Sequence, residues 1–192
     1  TMKKLLLILL CLPMIGFGQE LGDLIEINYN ERYLYLKNPL GCENIEQPGN
    51  IVTYLCGSSM IGFKLGPIDI KGDDDYNNSQ FKDSEYIENF ISGFEADGTC
   101  KVYKHILIKI NGNPALKFFY NTTDKISSEE TFKGIVWYVA YGIDRIIINS
   151  MYQSNEYSQM SHFYSMLANS VDLSLMKKVK MKEYKFEFEN VD

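Results

Sequence analysis

Residues 101–152 carry the strongest constraint on what this chain can become: four strand-length segments joined by short links. Val102, Ile106, Ile108 and Ile110 share one side of the first segment, the side-chain period of a β-strand. Asn111-Gly112-Asn113-Pro114 then turns the chain, and residues 115–123 run back. A polar loop at 124–130 leads to a third segment at 132–141, and Gly142-Ile143-Asp144 connects tightly to a fourth at 145–152. Links this short join only antiparallel neighbours. The segment is a meander.

Upstream, residues 24–37 alternate with a break at Asn30-Glu31 and an end at Pro39, which reads as one or two strands. Short strands are expected at 51–55 and 60–65, and a polar, turn-rich loop over residues 71–79. Between 83 and 96 the period changes. Ile87, Phe90, Ile91 and Phe94 fall at i, i+3, i+4 and i+7, one helical stripe, with Asp83 or Ser84 to cap its start and Gly98 beyond its end. A second amphipathic helix is expected over 155–169, capped by Ser154 or Asn155, with Met160, Phe163, Tyr164, Leu167 and Val171 on its stripe. A mostly antiparallel sheet with two amphipathic helices closes a core only if the helices pack on the sheet. The expected class is α+β, one domain over residues 19–175, with a charged strand or tail at 176–192.

The N-terminus reads as an address. Lys3 and Lys4 precede an apolar run over 5–12, and Gly16-Phe17-Gly18 precedes Gln19, the layout of a secretory signal peptide. The run is shorter than the roughly 20 residues a membrane-spanning helix needs. Leu10 is not the small residue a lipidated Cys11 would require. Residues 1–18 are therefore expected to be removed, with cleavage between Gly18 and Gln19, and the mature chain to work in the periplasm or outside the cell with no transmembrane segment. Loss of Lys3 and Lys4 takes the net charge from −6 to −8, an acidic balance that argues against nucleic acid, whose phosphates call for a basic footprint.

Three cysteines follow the signal: Cys42, Cys56 and Cys100. Gln47-Pro48-Gly49-Asn50 lies midway between the first two, so a hairpin about that turn would bring Cys42 opposite Cys56, close enough for a disulfide. Three reduced, buried cysteines are the other reading. The candidate chemistry elsewhere is thin. Asp73, Asp75 and Asn77 match the first ligand positions of a calcium loop, but Asn78 stands where glycine is needed and Ser84 where glutamate is needed. Residues 73–78 read as a solvated acidic loop. His105 and His162 have no second ligand at metal spacing and read as surface or partly buried residues. Gly57-Ser58-Ser59-Met60-Ile61-Gly62 lacks the spacing of a nucleophile elbow, and Trp137, Tyr138 and Tyr141 lie on a strand, where core packing is the default. No catalytic residue, metal site or cofactor is expected.

Three stretches carry a family resemblance: Asn111-Gly112-Asn113-Pro114-Ala115 before an aromatic strand, residues 134–141 followed by Asp144-Arg145-Ile146-Ile147-Ile148, and a closing helix with Phe163, Leu167 and Ser170-Val171. Over about residues 28–172 the chain resembles the PsbP-like superfamily, which includes the extrinsic photosystem II protein, a nuclear-transport GTPase-binding factor and bacterial periplasmic DcrB-like proteins. The resemblance implies a PsbP-like sandwich, no shared catalytic residue and a protein partner. The expected function is a non-enzymatic binding or assembly module. The alternative is a carrier of a small apolar ligand in a pocket between sheet and helices.

Overall fold

The computed structural model describes residues 20–29, 32–66, 73–123, 130–153 and 157–171. The expected signal segment 1–18, the expected cap at Ser154 or Asn155, and residues 176–192 lie outside them. Strands β1 (Leu21–Tyr29) and β2 (Arg32–Pro39) form a separate antiparallel hairpin. The main sheet has seven strands: β3 (Glu43–Ile45), β4 (Val52–Cys56), β5 (Ser59–Leu65), β6 (Cys100–Ile110), β7 (Asn113–Thr123), β8 (Glu130–Tyr141) and β9 (Asp144–Gln153). Their order is β3-β4-β5-β9-β8-β7-β6, and every pairing is antiparallel. The β6–β7 turn is possible because Asn111 and Gly112 both take positive φ, 48° and 82°, as a tight hairpin turn of the right twist requires.

Alternation along the central strands supplies two apolar faces. Ile135, Trp137, Val139, Ile146 and Ile148 point to one, where helix α3 (Tyr157–Asn169) packs Met160, Phe163, Tyr164 and Leu167 beside Leu34 and Leu36 of the β1–β2 hairpin. The Ser170 hydroxyl accepts from the Lys37 amide at 3.1 Å, tying the end of this helix to β2. Leu116, Phe118, Tyr120, Val136 and Tyr138 point to the other face, under helices α1 (Asp74–Gln80) and α2 (Ser84–Glu95). The two amphipathic helices therefore lie on opposite faces, and the sheet is the middle of three layers. Each large apolar side chain buried on it contributes about 1.5–3 kcal/mol.

Two expectations need correction. Residues 73–78 do not form a loop: Asp73 accepts the Tyr76 amide at 2.7 Å as the N-cap of α1, a third helix. Its sequence has no apolar stripe. It is held from outside, because Asn77 is buried and its Oδ1 accepts from Arg145 at 2.7 Å while its amide donates to Gly142 O at 3.0 Å. The α2 stripe does face the sheet, capped by Asp83 as its spacing suggests. Only Ile87 is buried; Phe90, Ile91 and Phe94 are partly open, because α2 lies over β6, β7 and β8 and stops short of β5.

Candidate functional site

The uncovered part of that second face is a cleft. Its floor follows from register: Met60 lies opposite Met151, Gly62 opposite Asn149, and Lys64 opposite Ile147, all six on one side of the β5–β9 ladder. Val136 and Phe118 extend the floor toward α2, whose Phe90 and Phe94 form one wall. Aromatic contacts set that wall rigidly: Phe90 stacks on Tyr138 at 4.3 Å between ring centres, and Phe94 meets Phe118 edge-on at 4.9 Å. Opposite them stand Gln47 and Asn50 of the β3–β4 turn.

This second wall is local chemistry fixed by hydrogen bonds. The Asn50 amide nitrogen donates to Gln47 Oε1 at 2.9 Å and to Thr53 Oγ1 at 2.8 Å. It comes so close to β5 that a Cβ on Gly62 would meet it at 2.5 Å, so the glycine sets how near the turn can lie. Below the turn, Glu43 pairs with Leu55, a register that sets Cys42 opposite Cys56; their Cα atoms are 4.4 Å apart and their sulfurs are joined. The cross-link sits at the base of the wall.

At the bottom, the Tyr120 hydroxyl donates to Asn149 Oδ1 at 2.8 Å, leaving the amide N–H2 as the group Asn149 can offer. Burial pushes the Tyr120 hydroxyl well above the ordinary tyrosine value of 10.0, against the opposing effect of Asn149. The sign of the linkage follows. A proton held more tightly in the folded state stabilises fully below the unfolded pKa and is lost as pH rises above about 10. Tyr120→Phe is thus expected to cost about 1 kcal/mol at neutral pH and to flatten the loss of stability above about pH 10, read by urea titrations across that range. An unchanged alkaline limb would rule out Tyr120 as its source. Gly134 leaves space for the Tyr120 ring, with which a Cβ there would collide.

The lining holds Lys64 and three amides as its polar groups, with no carboxylate, imidazole, thiol or hydroxyl among the described residues. It suits an apolar group with a hydrogen-bond acceptor or negative charge beside it. It has no acid–base pair.

The other candidates fall elsewhere. His105 on β6 and His162 on α3 are exposed, each on a different element. Gly57-Ser58 is the turn between β4 and β5, and Trp137 and Tyr138 are buried on opposite faces of the sheet. Among the described residues no three His, Cys, Asp or Glu groups come together as a metal site; Asp73 caps a helix and Asn77 serves Arg145. Cys100 carries a free thiol that burial pushes up, away from the reactive thiolate form. Sequence reasoning offered a pocket between sheet and helices only as an alternative and singled out none of its lining as a site, because that lining is scattered over four strands, a helix and a turn.

The architecture is that of the PsbP-like α+β fold. The solved structure of cyanobacterial PsbP (CyanoP) from Synechocystis sp. PCC 6803 matches with a TM-score of 0.56 at 8% identity, over 83% of this chain and 95% of that one. A protein from Bacteroides thetaiotaomicron VPI-5482 matches with a TM-score of 0.53 at 9% identity, over 80% of this chain; the match spans 48% of that protein, about half its length. Identities this low establish the fold alone. No family model and no curated protein matches the sequence. No helix among the described residues is long and apolar enough to cross a membrane.

Proposed function

We propose that the mature chain is a periplasmic or secreted, non-enzymatic binding module, and that a protein partner seats an apolar side chain in the α2–hairpin cleft. The observation that carries this is the size and openness of the cleft. It holds about 260 Å³, below the roughly 300–1,000 Å³ of pockets that enclose a small molecule, and one side is open. One or two side chains of a partner fit such a recess. Lys64 at the mouth and the Asn149 amide on the floor suit an acceptor next to them. The lack of an acid–base pair in the lining supports a non-enzymatic role, and the N-terminal pattern supports an address outside the cytoplasm.

A carrier of a small apolar ligand is the second reading, favoured by the aromatic and methionine lining. A photo-cross-linking residue in place of Phe94, in the chain expressed with its own signal, separates the two. The expected result is one dominant protein adduct that disappears with Met151→Arg. An adduct with only a small molecule would favour the carrier, and turnover of a broad panel of hydrolase substrates by the purified protein would overturn both. Intact mass of the exported chain should place its N-terminus at Gln19. A chain that keeps residues 5–12 would refute the signal peptide.

A further inference from the structure

We infer that the outer edge of β6 is a second docking surface, which adds an extended segment of a partner protein, apolar residues alternating with Asp or Glu, as a further strand of the sheet. The inference rests on reading the chain as a protein-binding module, but it uses none of the cleft residues.

Among the described residues β6 pairs with β7 alone and ends the strand order. It runs for 11 residues, against 3 for β3 at the opposite end. A long outer strand presents a row of unpaired backbone groups, which proteins ordinarily blunt by shortening, bulging or charge. Here the bulge falls between Val102 and Lys104, and from Lys104 to Ile110 the ladder with β7 is regular. Ile106 and Leu107, neighbours on opposite faces, are 37% and 48% exposed. An added strand that turns its apolar side chains to the Leu107 face would cover Leu107 and set its acids on the opposite face, where Lys104 lies beside Ile106. Beside Leu107, Phe81 and Pro114 border a recess of about 270 Å³, room for one side chain of the incoming strand. Recognition by strand addition works this way, the backbone giving affinity and pockets for alternate residues giving specificity.

Charge selects the occupant. The strand carries Lys101, Lys104, His105 and Lys109 and no acid, in a chain whose net charge is −6. Two copies edge to edge would oppose lysine to lysine, so the charges that disfavour self-pairing favour an acidic strand. The molecule already shows the complementarity at one end. Glu95 of α2 reaches the strand, where Oε1 accepts the Val102 amide at 2.5 Å and Oε2 meets Lys101 Nζ at 3.4 Å. A partner carboxylate near Lys104 would repeat that arrangement farther along the edge.

The probes are three labelled peptides titrated by fluorescence anisotropy against the full mature protein: one alternating Val and Glu, the same peptide N-methylated at every second residue, and one alternating Val and Lys. The Val–Glu peptide should bind and slow amide exchange in β6. The other two should bind at least about tenfold more weakly, as loss of backbone pairing or charge complementarity demands. Lys104→Glu, a charge reversal on the face that the peptide's acids share, should weaken the Val–Glu peptide by about tenfold. Met151→Arg, which closes the cleft, should leave it unchanged, so failure of the cleft reading and failure of the edge reading give different results. Equal binding of the N-methylated or Val–Lys peptide would overturn the proposal. So would protection of β6 by self-association without peptide, which would make the edge an interface between copies.

Discussion

Arg145→Leu is expected to cost about 3–5 kcal/mol and to free α1 from the sheet. Arg145 is 1% exposed on β9. Its Nη1 donates to Gly142 O at 2.8 Å and Asp144 O at 3.0 Å, and its Nη2 to Asn77 Oδ1 at 2.7 Å and Gln80 Oε1 at 3.3 Å. A planar, five-donor group can serve the β8–β9 turn and a helix at once. Leucine fills the volume but leaves the buried Asn77 oxygen without its donor, and each orphaned buried acceptor costs about 1–3 kcal/mol. Lysine keeps the charge but lacks the fork, so Arg145→Lys should fall between the two. Urea denaturation gives the stability, and amide exchange over residues 74–80 gives the release. Unchanged exchange there would mean that α1 stands without Arg145.

Cys42→Ser with Cys56→Ser is expected to cost about 3 kcal/mol, the chain-entropy value for a loop of about 15 residues. The two cysteines are 14 apart in sequence. For a domain of this size that is a fall in melting temperature of roughly 6–12 °C, and reductant should reproduce it in the unmodified chain. The hairpin also carries Gln47 and Asn50, one wall of the cleft, so the variant should lose the Phe94 adduct more readily than its stability loss alone predicts. Peptide mapping of the purified protein checks the premise: Cys42 linked to Cys56, Cys100 free. A bridge involving Cys100 would contradict the β3–β4 register.

Period and turn chemistry made much of the architecture legible. The meander from β6 to β9 followed from alternation and short links, since a strand that must turn back within a few residues has one neighbour available to it. The stripes of α2 and α3 followed from residues three and four apart. The β3–β4 register followed from the position of Pro48-Gly49. All of these depend on contacts between residues near one another in sequence.

Position within the sheet was a different matter. Residues 71–79 are polar and turn-rich, and local propensity gave them no helix; α1 exists through Asp73 at its start and Arg145, 68 residues from Asn77. The stripes said that α2 and α3 bury one side each, but not that they lie on opposite faces, because a strand alternating apolar residues to both sides serves either. The same pattern on β6 promised a buried face at Ile106. The tertiary structure set that strand at the end of the sheet, where α2 reaches its first residues and leaves Ile106 and Leu107 exposed. The cleft arose likewise, from α2 covering β7 and β8 while β5 and β9 pair beyond its reach. Amino-acid order determined which segments are strands and which are the two amphipathic helices; the relative placement of those elements, set by contacts across long sequence separations, decided that α1 forms, which apolar residues became core and which stayed exposed.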